Sequence, residues 1–234
     1  MTELTPACQR LQTVTARIAQ ASHDARRDAA NVSLLAVSKT FGAPEIRALA
    51  NCGQRQFGEN YLQEALEKQT ALRDLPLIWH FIGPIQSNKT RLIAENFSWV
   101  HSVDRFKIAE RLSAQRPDHL PPLQVCIELN VSGETSKGGV TPDALPTHAH
   151  AISTLPRLQL RGLMAIPAPS DDPATQRLAF RRVRAAFDAL NAAGHTLDTL
   201  SMGMSGDLEA AILEGASIVR VGTALFGHRT SPHG

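Results

Sequence analysis

The sequence predicts a parallel (β/α)8 barrel, an α/β fold, with one extra helix at its N-terminus. Three observations predict it. Short apolar, β-branched runs alternate strictly with segments of helical periodicity, the pattern of a parallel sheet with helical crossovers. Eight such runs fit within 234 residues, a length at which eight strand–helix units can close. No GxGxxG follows the first run and no lone topological switch interrupts the order, which leaves an open doubly wound sheet as the weaker alternative.

The elements follow in order. Leu11, Val14, Ile18 and Ala21 stand at helical spacing within residues 7–30 and predict the N-terminal helix. Strands are expected at 33–39, 56–60, 78–83, 99–104, 123–131, 159–167, 199–203 and 217–222. Helices are expected between them at 43–52, 61–72, 87–97, 105–115, 142–155, 174–193 and 205–214. Gly53, Gly194 and Gly215 stand just past three of these helices, where a left-handed C-terminal cap belongs. The fifth connection holds the insert "SGETSKGGVTP", and "PAPSDDPATQ" reads as a loop before a helix. No linker-like break divides the chain. Residues 1–234 are expected to form one domain, with 1–30 as the N-terminal helical segment and 228–234 as a short tail.

Composition narrows the function. The chain is 43% hydrophobic, enough for one large core, and its 24 basic and 22 acidic residues leave a net charge of +2. That balance gives no nucleic-acid stripe and no polybasic membrane anchor. No stretch approaches 18 apolar residues and the N-terminus lacks a signal-peptide core, so no membrane association is expected. Cys8, Cys52 and Cys126 are widely spaced, with no CxxC pair and no Cys/His metal spacing. They read as the cysteines of a cytoplasmic protein in a reducing compartment, without structural zinc or another metal.

In such a barrel the active face lies at the C-terminal ends of the strands. Those ends hold Lys39, Asn60, His80 with Gly83, Asp104, Asn130, Pro167, 201–205, and Arg220 with Gly222 and Thr223. Two loops there suit a phosphate. In "SMGMSGDLEAAI", Ser205 reads as a helix N-cap with Asp207 in the first turn, beside free backbone N–H groups. In "VRVGTALFG", Gly222 and Thr223 can present backbone amides while Arg220 supplies permanent charge. Loops after strands 7 and 8 are the recurrent phosphate site of barrels.

The five lysines can be audited one by one. Lys68 and Lys107 read as solvated residues of amphipathic helices, Lys89 stands at a helix start, and Lys137 lies in the Gly/Ser insert. Only Lys39, in "LLAVSKT", ends a strand. A partly desolvated lysine near other cations is shifted toward a nucleophilic amine. An amine beside a phosphate site implies a phosphorylated aldehyde, for which pyridoxal 5′-phosphate is the candidate. The insert fails the Walker A pattern, no GxSxG elbow exists, and the His148–His150 pair reads as part of an exposed helix.

"AVSKT", "RQFGENY", "WHFIGPIQSNKTR", "HSVDR", "RGLMAI", "SMGMSGD" and "EGASIVRVGTALFG" closely resemble the pyridoxal phosphate homeostasis protein family, from about residue 33 to 227. The resemblance implies a fold-type III barrel like the N-terminal domain of alanine racemase. It implies that Lys39 forms the covalent aldimine, and that Ser205, Gly222 and Thr223 bind phosphate. It implies that Arg220 faces the ring nitrogen or the phosphate, and that Asn60 lines the cofactor. It further implies a non-catalytic carrier and regulator of vitamin B6 vitamers, influencing amino-acid and keto-acid balance and meeting apo-enzymes transiently. Phe41 and Gly42 depart from the family pattern after "SKT", and the tail "HRTSPHG" lacks a lysine.

The alternative is a fold-type III racemase or decarboxylase. Those racemases resemble the barrel but add a β-domain and a tyrosine base from a partner subunit. Here the single tyrosine is Tyr61, next to Asn60. An arginine at the pyridine nitrogen would also leave the ring a weaker electron sink than a carboxylate would. A carrier acting as a monomer is therefore the preferred expectation; Lys137, on the same barrel face, reads either as a transient acceptor during cofactor transfer or as a solvated loop lysine. A purely structural barrel would make Lys39 an ordinary surface amine.

Overall fold

The computed structural model describes residues 4–131 and 138–227. Eight parallel strands close into a barrel in sequence order: β1 (Ser33–Val37), β2 (Gln56–Glu59), β3 (Ile78–Phe81), β4 (Trp99–Val103), β5 (Leu123–Glu128), β6 (Leu158–Met164), β7 (Thr199–Ser201) and β8 (Ile218–Val221). Closure is made where β1 pairs with β8, with Ser33 opposite Ile218 and Ala36 opposite Val221. The open-sheet alternative is thereby excluded.

The helices are α1 (Pro6–Asp24), α2 (Ala43–Asn51), α3 (Leu62–Ala71), α4 (Thr90–Asn96), α5 (Phe106–Gln115), α6 (Leu145–Ser153), α7 (Pro173–Ala192), α8 (Leu208–Leu213) and α9 (Thr223–Phe226). They surround the barrel because each strand has two apolar faces and the outer one must be covered. Ile46 and Leu49 of α2 and Ile108 and Leu112 of α5 are buried on that face. Gly53, Gly194 and Gly215 take φ of 105°, 99° and 102°, the left-handed conformation expected of helix-closing glycines.

Three sequence expectations need correction. The N-terminal helix stops at Asp24 rather than 30, because Arg26 takes φ 53° and the chain then forms a short 3-10 turn, Ala29–Asn31, capped by Asp28. The strands end one to three residues earlier than their apolar runs. Lys39, Asn60, Asp104 and Gly222 consequently stand on loops just beyond the hydrogen-bonded ladder. The short helix α9 was not foreseen in "GTALFG".

Helix α1 seals the seam between the two ends of the chain. Its Val14, Ile18 and Ala21 are buried, and it packs against α2, α8 and α9. This packing brings Cys8 and Cys52 together as a disulfide with Cα atoms 5.3 Å apart. Reading the cysteines as those of a protein in a reducing compartment did not anticipate it. Spacing along the chain, 44 residues, hides a contact between neighbouring helices. Among the described residues no helix is long and apolar enough to cross a membrane.

Candidate functional site

The C-terminal mouth of the barrel holds a cavity of about 330 Å3, at the lower end of the range for small-molecule sites. All six residues singled out from the sequence line it: Lys39, Asn60, Ser205, Arg220, Gly222 and Thr223. Val37, Ile82, Met164, Ile166 and Met204 supply apolar walls. A larger open groove of about 620 Å3 lies outside, between the start of α2 and α3. It contains none of these six residues.

Each side chain owes its place to a strand end. Lys39 follows β1 by two residues and is half-buried. Its side chain makes no hydrogen bond or ion pair among the described residues, so the amine is available to a ligand. The next residue, Thr40, takes φ 68°, an uncommon conformation for a β-branched side chain. Thr40 N–H donates to Glu64 Oε1 at 2.6 Å, and Phe41 N–H donates to Ser38 O at 3.1 Å, which together hold the turn.

Phe41 does not line the cavity. Its ring stacks on Phe226 of α9 with centroids 4.6 Å apart, tying the loop of Lys39 to the loop after β8. Asn60 follows β2, and its Oδ1 is buried without a partner among the described residues. Such an orphaned acceptor fits a ligand donor. Gly83 makes the position of Asn60 possible, since a Cβ on it would lie 2.2 Å from the Asn60 carbonyl oxygen.

The loop after β7 differs from expectation. Helix α8 begins at Leu208 with Asp207 as its N-cap residue, so Ser205 lies in the preceding turn and is not a helix cap. Asp207 Oδ1 instead accepts from Met204 N at 2.5 Å, closing that turn. The turn is braced from outside by α1. Arg17 Nη2 donates to Ser205 O at 3.0 Å while its Nε donates to Glu209 Oε1 at 2.8 Å. Arg10 Nε likewise donates to Leu225 O at 2.5 Å, behind Gly222 and Thr223. These two arginines were invisible as site supports because they lie about 200 residues away in sequence.

Arg220 lies in the barrel interior, at the floor of the cavity. Its Nη1 donates to Ser201 O at 2.6 Å and Ser201 Oγ at 2.8 Å, and its Nη2 donates to Ala165 O at 2.9 Å. Burial draws its pKa down to about 10, opposed by the charges of Asp207, Cys126 and Glu128. It remains a cation at neutral pH. His80, expected at the mouth, is fully buried in the interior. Burial holds its pKa down to about 3. His101 is also held well below the usual imidazole range, by burial first and then by His80 and Arg220.

Lys68, expected in solvent, is also a buried cation. Its Nζ donates to Ser38 O and Glu59 Oε1, both at 2.8 Å, and to Glu64 Oε1. Ser38 Oγ also donates to Glu59 Oε1. Burial raises the Glu59 carboxyl, opposed by its bonds to Lys68 and Ser38. The network underlies the residue before Lys39. The readable signal was the Glu64–Lys68 pair, one helical turn apart on the face of α3 that meets the barrel.

Lys107 is exposed, as expected, and so is Lys89 at the start of α4. Lys137 lies outside the described residues. His148 Nδ1 is 2.9 Å from the carbonyl oxygen of Ala144, the residue that caps the start of its helix. Among the described residues, no three His, Cys, Asp or Glu side chains gather so as to hold a metal ion.

A family profile described as alanine racemase, N-terminal domain, matches residues 10–230. A curated protein from Pseudomonas aeruginosa, named pyridoxal phosphate homeostasis protein, is 63% identical over 216 residues, covering 92% of this chain and 93% of its own length. A protein of the same name from Escherichia coli is 49% identical, covering 94% and 95%. The structure of PipY from Synechococcus elongatus with PLP bound superposes with a TM-score of 0.83 at 36% identity, covering 94% of this chain and all of that one. Alanine racemase from Clostridium difficile shares the fold alone, with a TM-score of 0.69 at 14% identity over 57% of its chain.

Proposed function

Given that the chain belongs to the pyridoxal phosphate homeostasis protein family, we propose that it binds pyridoxal 5′-phosphate at the barrel mouth and serves as a carrier of B6 vitamers rather than as an enzyme. The observation that carries this reading is the convergence of an unpartnered lysine, an orphaned amide oxygen and a buried arginine in one cavity of cofactor size.

When bound, the cofactor supplies an aldehyde that a lysine can hold as a Schiff base, and a pyridine ring that withdraws electrons. Lys39 is the amine for that bond. Ser205, Gly222 and Thr223 would hold its phosphate, Asn60 would meet the ring edge, and Arg220 would face the ring nitrogen or the phosphate. A guanidinium only donates, so Arg220 at the ring nitrogen would leave that atom unprotonated and the ring a poor electron sink. That favours holding and releasing the cofactor over amino-acid chemistry. A monomer is proposed as the working unit. Transient contact with apo-enzymes would deliver the cofactor and thereby influence amino-acid and keto-acid balance.

The test is spectroscopic. Purified protein with added pyridoxal phosphate should develop the visible absorbance of a lysine Schiff base, and Lys39→Ala should lose it. Borohydride reduction followed by peptide mapping should place the cofactor on Lys39. Label on another lysine would overturn the assignment. Conversion of L-alanine to its D-isomer, or its decarboxylation, at about 1 s⁻¹ or faster would restore the enzyme reading.

A further inference from the structure

Beneath the cavity a file of four side chains crosses the barrel interior from β8 to β3. Arg220 Nη1 stands 2.8 Å from Ser201 Oγ. Ser201 Oγ stands 2.7 Å from His101 Nδ1, and His101 Nε2 stands 2.9 Å from His80 Nδ1. Arg220 is 4% exposed and the other three are fully buried. The file stops at His80 Nε2, which is buried and has no partner among the described residues. The His80 ring stacks on Trp99, with centroids 5.4 Å apart and planes within 9°.

The direction of every hydrogen bond follows from counting donors. Arginine can only donate, a hydroxyl has one hydrogen, and a neutral imidazole has one N–H and one bare nitrogen. Both histidines are neutral at pH 7 because burial disfavours their charged forms. Two arrangements remain.

In one, Ser201 Oγ accepts from Arg220 and donates to His101 Nδ1, and His101 Nε2–H donates to His80 Nδ1. The single unmet group is His80 Nε2–H. In the other, His80 Nδ1–H donates to His101 Nε2, and His101 Nδ1–H donates to Ser201. That leaves His80 Nε2 bare and also strands the Ser201 hydroxyl hydrogen, since its oxygen has no further partner among the described residues. Buried polar groups are rarely left unmet, so the arrangement with one unmet group is preferred. It also turns the bare nitrogen of His101 toward the guanidinium and points every N–H away from it.

We propose that His101 and His80 are positioning residues, both neutral and both protonated on Nε2, which fix the Ser201 hydroxyl and thereby hold the Arg220 guanidinium in place at the cavity floor. Neither histidine touches the ligand. Their action on it rests on the reading that the mouth holds pyridoxal phosphate with Arg220 at the ring nitrogen.

The first test needs no cofactor. Long-range 1H–15N correlation spectra of 15N-histidine protein, assigned with His80→Gln and His101→Gln, should show both rings with Nε2–H and bare Nδ1, unchanged from pH 8 to pH 6. An Nδ1–H tautomer in either ring, or a protonated ring at pH 6, would overturn the proposal. The second test uses cofactor. His101→Leu removes the acceptor for Ser201. It should weaken pyridoxal phosphate binding about tenfold or more and shift the resonance of a 15N-labelled pyridine nitrogen. His101→Gln keeps one acceptor and one donor and should restore both to near wild type.

Wild-type affinity and an unmoved ring-nitrogen resonance in a folded His101→Leu would sink the positioning role. If the wild type itself fails to bind, the cofactor reading fails while the tautomer result still stands.

Discussion

Replacing Lys68 with methionine isolates the buried network under Lys39. The Lys68 side chain is 6% exposed and Glu59 is 0% exposed, and their charged atoms stand 2.8 Å apart. Methionine keeps much of the volume and removes the charge with its three hydrogen bonds. Glu59 Oε2 already lacks a partner, so Lys68→Met leaves its carboxylate with only Ser38 for support. Breaking a buried pair in this way costs about 3–5 kcal/mol, a large part of the roughly 5–15 kcal/mol typical of a folded domain.

The cost should fall with acidity. Burial raises the Glu59 carboxyl and Lys68 opposes that rise; without Lys68 the folded-state pKa climbs further above its unfolded value. A raised carboxyl stabilises the fold below the unfolded pKa, and that contribution is lost as pH rises through the folded pKa. The deficit of Lys68→Met should therefore be largest above neutrality and shrink toward pH 5. Glu59→Gln combined with Lys68→Met removes the stranded charge and should recover at least half of the loss. Urea unfolding at several pH values measures all three proteins. A deficit below about 1 kcal/mol, or one that is flat with pH, would refute the reasoning, because surface pairs behave that way.

Other outcomes follow from the same structure. His80 stays neutral in the fold down to about pH 3, whereas its unfolded form gains a proton near pH 6.5, so it removes about 2 kcal/mol of stability between pH 7 and pH 5. His101 acts with the same sign, while the raised carboxyls of Glu59 and Glu128 act with the opposite one. A slope of unfolding free energy against pH that His80→Gln leaves unaltered would contradict this. The Cys8–Cys52 bond closes a span of 44 residues, for which chain entropy gives about 4 kcal/mol and measured cases run nearer 2–4. Cys8→Ser should lower the urea midpoint of oxidised protein accordingly, and a reductant should abolish the difference; equal midpoints under oxidising conditions would argue against the bond. Gly83→Ala drives a Cβ into the Asn60 backbone, so it should cost about 1–3 kcal/mol and weaken cofactor binding by displacing Asn60. Unchanged affinity there would remove Asn60 from the site.

The barrel was legible because each strand is an unbroken apolar run between polar turns, and because parallel strands must alternate with helices. The mouth was legible for a related reason. Lys39, Asn60 and Gly222 each follow directly on such a run, and the topology gathers all strand ends in one ring. What escaped notice were contacts made across the sequence. Lys68 looked solvated because its helix is amphipathic, yet its amine enters a slot formed by Ser38 and Glu59 of other elements. His80 and His101 looked scattered, although each sits within an apolar strand at a buried position. Ser205 looked like a cap because it stands between Gly203 and Gly206 just before a helix, but Asp207 takes that place. The cysteine pair depends on how α1 lies across α2, which no local pattern encodes.

The seam sealed by α1 has a consequence for synthesis on the ribosome. Strand β1 pairs with β8, and Arg10 near the start of the chain bonds Leu225 near its end, 215 residues later. Helix α1 therefore waits while about 200 further residues are made, roughly 10–45 s at common elongation rates, before α8 and α9 exist. The part of its face that meets α8 and α9 stays uncovered during that interval. Barrel closure joins segments far apart in the sequence, a contact of correspondingly slow formation. The turns around Ser205 and Thr223, braced by that same helix, are then among the last parts of the molecule to mature, together with the closure of β8 on β1, so a nascent chain can grip a ligand only once its barrel closes.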